Sequence, residues 1–278
     1  MAIELATEFL PYVDEQYATE SKSSLVTNQD FNWTGAHSVK VYKVTTGKMN
    51  DYDRTAEGYG VNGSRYGKVQ GLQATTEEMT LTKDRSFTFA IDTLDSDETK
   101  QSLASASALA RQMREVIIPE VDTHVFAKIV AGAGTTNTLT LTDKNIYDAI
   151  LTATEALDKA EVPEAGRVLL VTPATYTLMK KNASIVMETN LGQDARNKGV
   201  LGILDGATVI KVPASRLPEK AGFIMAHPSA TVAPLKLESY KTHNNPPGIN
   251  GDLVEGRVCY DAFVLENKAK AIYLHNNA

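Results

Sequence analysis

The apolar positions of this 278-residue chain change period several times, and the longest unbroken period is helical. From Asp95 to about Val130, the residues Leu103, Ala106, Leu109 with Ala110, Met113, and Val116 with Ile117 recur every three or four positions. That spacing draws an apolar stripe down one side of a helix. Arg111, Gln112, Arg114 and Glu115 fall largely off the stripe. Asp95, with Glu98 three residues on, has the form of a capping box. Pro119 removes a backbone donor and crowds the carbonyl four residues back, which predicts a kink. The stripe resumes at Val121, Val125, Phe126 and Ile129, and Gly132 and Gly134 end it. At 1.5 Å per residue the helix is roughly 50 Å long. It exceeds the usual core helix and suits a body that is elongated or sheet-like.

Ahead of this helix the pattern is mostly extended or absent. Residues 1–35 read as an arm. Glu4 to Leu10 is a short helical stretch stopped by Pro11, and Glu15 to Gln29 is polar, with Leu25 and Val26 as its consecutive apolar pair. Such a segment buries little by itself. Phe9, Tyr12, Tyr17, Phe31 and Trp33 would be left in water, so the arm is expected to dock on something else. His37 to Val44 is a β-branched strand. Gly47 to Gln73 has neither period and carries Gly47, Gly58, Gly60, Gly63, Gly67 and Gly71 among Asp51, Asp53, Arg54, Arg65 and Lys68. A loop of this length is functional or mobile. Met79, Leu81, Phe87, Phe89 and Ile91 share one parity, so Thr75 to Ile91 is one strand or two in line. Residues 37–91 form a long two-stranded excursion. Two strands alone are marginally stable, so the excursion needs a neighbour.

Behind the helix, Thr135 to Leu141 is a Thr-rich linker or strand. Thr142 caps a second helix carrying Ile146, Ile150, Ala153 and Leu157, ended near Pro163. Arg167 to Val171 is a short apolar strand, and Thr172-Pro173 starts a helix, with Thr as N-cap and Pro at the first position. Asp205-Gly206 marks a hairpin turn within Gly199 to Pro213. Ala221 to Ala226 and Thr231 to Leu237 are further strands. Residues 135–236 are thus a mixed α/β unit. Asn244 to Asp252 is a loop. Leu253 to Leu265 and Ala269 to Leu274 are strands expected to return to His37–Val44 and to the long helix. No internal repeat is present, and the class is α+β.

Composition narrows the function classes. An apolar fraction of 42% and a charged fraction of 22% are those of a soluble globular chain. The net charge of -6 predicts no general attraction to nucleic acid or an anionic membrane. The one cysteine, Cys259, permits no intrachain disulfide and fits a reducing compartment. No basic segment leads an apolar run at the N-terminus, and no stretch of about 18 apolar residues occurs, so neither a signal peptide nor a membrane helix is expected.

The candidate motifs have plainer readings. Gly58-Tyr59-Gly60-Val61-Asn62-Gly63 matches G-x-G-x-x-G, but a dinucleotide site needs a buried strand before it and a helix after it. Here polar residues stand on both sides, which makes the match compositional. Glu120 and His124 share a helix face at metal-ligand spacing and Asp122 points elsewhere. A solvated face, or salt bridges to a neighbouring chain, accounts for the three better than a metal does. Cys259 with His243 or His275 could form a thiolate pair, but Cys259 sits in an alternating strand, where a buried structural cysteine is expected. No Gly-x-Ser-x-Gly, P-loop or Cys-x-x-Cys pair occurs. No catalytic group, cofactor or metal is assigned.

The order of these parts resembles the major capsid proteins of tailed bacteriophages, the Hong Kong 97-type fold. Local stretches also look like members of that family: Thr82 to Phe89 (TKDRSFTF), Asp92 to Thr99, Arg114 to Asp122 (REVIIPEVD), Leu170 to Tyr176 (LVTPATY) and Lys241 to Asp252. The resemblance covers the whole chain. It implies an N-arm (1–35), a strand and extended E-loop (36–94, the loop at roughly 45–85), a spine helix of the peripheral domain (95–134), an axial domain (135–236) and returning peripheral strands (237–278). It further implies hexamers and pentamers tiling an icosahedral head in the virion, assembled in the bacterial host cytoplasm. The implied partners are a portal and non-specifically held double-stranded DNA, with no membrane. Because the arm begins at Met1, it implies a separate scaffolding protein or none. Lys48 and Lys68 lie in the loop, but no Asn or Glu matches the family's cross-linking pattern. The intersubunit contacts are expected at Phe9, Tyr12, Trp33, Asp51, Tyr52, Asp53, Arg54, Tyr59, Arg65 and Tyr66. Two rivals stand beside this reading: an encapsulin-like compartment holding enzyme cargo, and a soluble α/β enzyme using residues 135–236.

Overall fold

Strands that are apolar on both sides need cover on both faces, and the chain builds one sheet of that kind. The computed structural model describes residues 21–28, 38–44, 46–52, 54, 65–67, 71, 74–98, 105–185 and 200–278. In chain order these form a 3-10 turn (Ser23–Leu25), β1 (Ser38–Val44), β2 (Ala74–Thr80), β3 (Lys83–Asp92), α1 (Thr93–Glu98) and α2 (Ser105–Gln112). A π turn (Met113–Ile117) and α3 (Ile118–Ala131) follow, then β4 (Thr135–Thr138), α4 (Ile146–Lys159), β5 (Val168–Val171) and α5 (Pro173–Lys181). The remainder is β6 (Val200–Leu204), β7 (Ala207–Lys211), β8 (Ala221–Ala226), β9 (Thr231–Val232), β10 (Leu235–Asn244), β11 (Gly251–Tyr260), β12 (Phe263–Val264) and β13 (Ile272–Asn276). The chain divides into a small unit, Gly35–Thr80, and a larger one made of Met1–Thr34 and Leu81–Ala278.

The larger unit is organised on a six-stranded sheet in the order β4-β13-β8-β5-β7-β6. Its strands alternate strictly between two cores. Val168, Leu170, Ile210, Ile224, Ile272 and Leu274 turn to one face, where Val125, Phe126 and Ile129 of α3 and Val26 near the N-terminus cover them. Leu169, Val171, Val209, Phe223, Met225 and Tyr273 turn to the other, under Ile146, Ile150, Ala153 and Leu157 of α4 and Met179 of α5. The boundary between residues 134 and 135 lies inside the first of these shared cores.

A second sheet, β10-β11-β3, lies against the long helix. Phe87 and Phe89 share a face with the buried Val254, Val258 and Tyr260. Phe87, Gly256 and Tyr240 are in register across the three strands. A Cβ on Gly256 would stand 2.2 Å from the Phe87 ring and 2.9 Å from Tyr240, so the two rings meet over the one residue without a side chain. The opposite face is polar, with Arg257 bound to Asp84 and His243 3.4 Å from Glu255.

Several sequence expectations change here. The closing strands do not return to residues 37–44: β11 pairs with β3, and β13 pairs with β8 and β4. Alternation fixes which face a strand buries, not which neighbour it takes. Thr75 to Ile91 is two strands in different sheets, since β2 pairs with β1 and β3 with β11. α1 begins at Thr93, so Asp95 lies inside that short helix and does not cap it. Asp92 takes the capping role, its carboxylate accepting from the Leu94 N–H at 2.8 Å. Ahead of Pro119 the backbone opens into the π turn, and Pro119 then sits in the first turn of α3, where its missing donor costs little.

Other local signals hold. Thr172 accepts from the Thr175 N–H at 3.2 Å with Pro173 behind it. Asp205 and Gly206 take φ of 47° and 75° between β6 and β7, the hairpin geometry that such a pair favours. Thr142 acts one turn earlier than a simple cap, exchanging hydrogen bonds with Asn145 ahead of α4.

Candidate functional site

The small unit carries the three most exposed large apolar groups among the described residues. β1 and β2 are antiparallel from Ser38↔Thr80 to Val44↔Ala74, with a Lys43–Glu77 ion pair at 3.1 Å. Tyr42 is 73% exposed, Met49 98% and Tyr66 78%. Tyr52 meets Tyr66 edge to face with ring centroids 5.0 Å apart. The Asn50 side-chain amide donates to the Tyr66 carbonyl at 3.2 Å, and Gly67 follows with φ of 81°. The expected contact residues Asp51, Tyr52, Arg54, Arg65 and Tyr66 are all exposed in this unit. Phe9, Tyr12, Trp33, Asp53 and Tyr59 lie outside the described residues, as does the G-x-G-x-x-G stretch.

Asp122 is the buried polar centre of the larger unit. It is fully buried, and its carboxylate accepts from Ser21 Oγ at 2.8 Å, from the Lys22 N–H at 3.1 Å and from the Ser23 N–H at 3.3 Å. Arg216 Nη1, also buried, donates to it at 2.8 Å. One carboxylate thus ties residues 21–23, α3 and the turn at Ala214–Arg216 together. Val26 packs in the core beside this point, and the Asn28 N–H donates to the Thr231 carbonyl at 2.7 Å. The expectation that this stretch docks outside its own chain is corrected for residues 21–28: they dock on α3 and on the β9 strand.

The neighbouring charges also have partners within the chain: His124 is largely buried, whereas the Glu120 side chain stays 39% exposed beside Arg85. Glu120 accepts from Arg85 Nε at 2.8 Å and from the Tyr260 hydroxyl at 3.1 Å. Burial and the Glu120 contact push the Tyr260 hydroxyl up to about 12. His124 Nε2 lies 2.8 Å from Asp261 Oδ1, and Thr82 binds the other oxygen through its N–H at 2.9 Å and its hydroxyl at 2.6 Å. Burial raises the Asp261 pKa, but the bonds from His124, Thr82 and the Ala262 N–H outweigh it and hold the carboxyl below its ordinary value. Among the described residues no group of His, Cys, Asp and Glu is placed to hold a metal ion.

No thiolate pair forms. Cys259 is half-buried on β11 opposite Asp84, whereas His243 pairs with Glu255 on the polar face and His275 lies in the other sheet. His275 is fully buried and stacked on Phe223 at 4.8 Å, with neither ring nitrogen bonded among the described residues. Burial lowers its pKa, so the folded chain favours the neutral ring. The unfolded chain takes up this proton near the ordinary value of about 6.5, so it binds more protons below that pH. Stability is therefore full above about pH 6.5 and falls as the pH drops from there toward the lowered value. His275→Leu should flatten this part of the pH profile in urea unfolding, and an unchanged slope would contradict the assignment.

Among the described residues the buried charges of Asp122, Arg167, Arg216 and Asp261 are paired, and the small unit exposes aromatic groups. Residues 74–274 match the family described as phage capsid protein. A solved structure from Mycobacterium phage Che8 is 18% identical, with a TM-score of 0.68 over 99% of this chain and 98% of that one. The capsid structure of the Cyanophage P-SCSP1u is 13% identical, with a TM-score of 0.73 over 98% and 93%. The asymmetric unit of the bacteriophage PhiM1 mature capsid is 12% identical, with a TM-score of 0.68 over 100% and 92%. Among curated proteins none matches. The fold is therefore that of capsid shells. The chain belongs to the phage capsid protein family and is a tailed-phage major capsid protein, a structural subunit of the virion shell.

Proposed function

We propose that copies of this chain form hexamers and pentamers that close into an icosahedral head around double-stranded DNA. Assembly takes place in the bacterial host cytoplasm, with a portal and a scaffolding protein as partners. The protein performs no enzymatic step. The observation that carries this reading is the small unit: two strands with Tyr42, Met49, Tyr52 and Tyr66 exposed. Two strands with an uncovered apolar surface gain stability by lying on a neighbour. In this reading residues 1–35 are the N-arm, 45–85 the E-loop, 95–134 the spine helix, 135–236 the axial domain and 237–278 the returning strands. Phe9, Tyr12, Trp33, Asp51, Tyr52, Asp53, Arg54, Tyr59, Arg65 and Tyr66 make the intersubunit contacts.

DNA is held without sequence preference, because the net charge is -6 and lysine and arginine are scattered. The family match favours a DNA-filled head over an encapsulin-like compartment, which would hold enzyme cargo instead. Size-exclusion chromatography with light scattering tests the reading. Rings of five or six copies, or larger closed particles, are expected. A monomer across all salt and protein concentrations, with scaffold supplied, would overturn it.

A further inference from the structure

The six-stranded sheet ends in β4 on one side and β6 on the other, and the two helices that share one of its faces, α4 and α5, carry opposite charge. Beside β6, the Lys180 ammonium of α5 lies 5.6 Å from the centroid of the Tyr176 ring, and that of Lys211, at the end of β7, lies 5.7 Å from the same centroid. A tyrosine ring attracts a cation, but two ammonium groups on one ring repel each other, and the exposed Lys181 follows Lys180 in the chain. Among the described residues none of these lysines has an ion-pair partner. The cluster therefore has unmet demand for negative charge.

The complementary surface lies on the neighbouring helix, α4, which packs with α5 over the same face of the sheet. α4 packs over β13, next to the β4 edge. It buries Ile146, Ile150, Ala153 and Leu157 and turns Asp148, Leu151, Glu155 and Asp158 outward at helical spacing. Leu151 is 40% exposed in the middle of this stripe. Glu155 pairs with Lys159 and Asp158 with Arg167, while Asp148 has no ion pair among the described residues. The outer face of α4 is thus acidic around an apolar centre.

We propose that the Tyr176–Lys180–Lys211 patch of one subunit docks on the outer face of α4 in a second copy of this chain. The inference rests on the shell reading above and deepens it. The contact joins two different surfaces, so repeating it around an axis closes a ring. Lysines meet Asp148 and Glu155, and the Tyr176 ring meets Leu151. Charge pairing of this kind sets register and excludes like-charged approaches. Two lysines on one ring make a spot, not the cationic track that a nucleic-acid backbone follows.

Charge reversal with rescue tests it on the full chain. Lys180→Glu with Lys211→Glu, and separately Asp148→Lys with Glu155→Lys, should each raise the protein concentration needed for half-maximal assembly about tenfold or more. Monomer melting should stay near wild type, because all four side chains are exposed. The chain carrying all four changes should assemble near the wild-type concentration. Lys180→Gln with Lys211→Gln should give an intermediate loss and serves if a reversal unfolds the subunit. Assembly of the lysine reversal at the wild-type concentration, or failure of the fourfold chain to recover, would overturn the contact while leaving the shell reading intact. Normal assembly with reduced packaged nucleic acid would also overturn it, and assign the lysines to phosphate. A wild-type chain that stays monomeric would overturn the shell reading, and this contact with it.

Discussion

Replacing Asp122 with alanine should destabilise the subunit by about 3–5 kcal/mol, because it leaves the Arg216 guanidinium buried without its counter-charge. Asp122 is fully buried and Arg216 is 4% exposed, so water cannot stand in for the lost partner. The substitution also orphans the N–H groups of Lys22 and Ser23, which both donate to this carboxylate. For a chain of this size the melting temperature should fall by about 10 °C or more. Limited proteolysis should cut sooner near residues 21–28, since the Asp122 bonds hold that stretch against α3. The double change Asp122→Leu with Arg216→Met should cost less than Asp122→Ala alone, because most of the penalty lies in the stranded charge and not in the lost pair. Thermal unfolding of the three chains decides this. An Asp122→Ala chain as stable as wild type would show that the N-terminal contact contributes nothing.

The second large effect is expected on assembly and not on the fold. Tyr52 and Tyr66 are 50% and 78% exposed and touch each other at the base of the glycine-rich stretch. Changing both to alanine removes little buried area from an isolated subunit, so melting should move by no more than about 3 °C. At an interface, buried tyrosines are among the residues that dominate affinity, at about 2 kcal/mol or more each. Loss of two such anchors at every copy should raise the assembly concentration about a hundredfold or more, or abolish shells. Melting curves and particle yield are measured on the same preparation. Normal yield would place the ordering contact elsewhere on the chain. A large drop in melting temperature would mean that the two rings belong to the subunit's own core.

What could be read from sequence was what is local. The stripe from Met113 to Ile129 showed the long helix, Thr172-Pro173 its later neighbour, and Asp205-Gly206 a hairpin, because each signal acts within a few residues. The unbroken apolar runs Val168–Val171 and Ala221–Ala226 marked buried strands, which need cover on both faces. Partners across the chain were not legible. Nothing near Leu253 or Ile272 in sequence distinguishes β3 or β8 from β1 as a neighbour, and the parity that fixes faces is silent on pairing. Asp122 looked like one charge among Glu120 and His124. Its role depends on Ser21 and Arg216, about a hundred residues away on either side. Leu25 and Val26 looked too few to anchor an arm, yet Val26 is fully buried because α3 and the sheet had already built the cavity it fills. Tyr52 and Tyr66 stood out in sequence only by a weak cue, large aromatic groups in a stretch that lacks a period, and both are exposed in the folded chain.

Electron microscopy of the purified protein, in the presence and absence of scaffold, tests the central claim most directly. The account predicts closed shells with rings of six and rings of five, formed by the wild-type chain and lost in the Tyr52→Ala, Tyr66→Ala chain that still melts as a folded subunit. A field of dispersed monomers or dimers from the wild-type chain under every condition would contradict it.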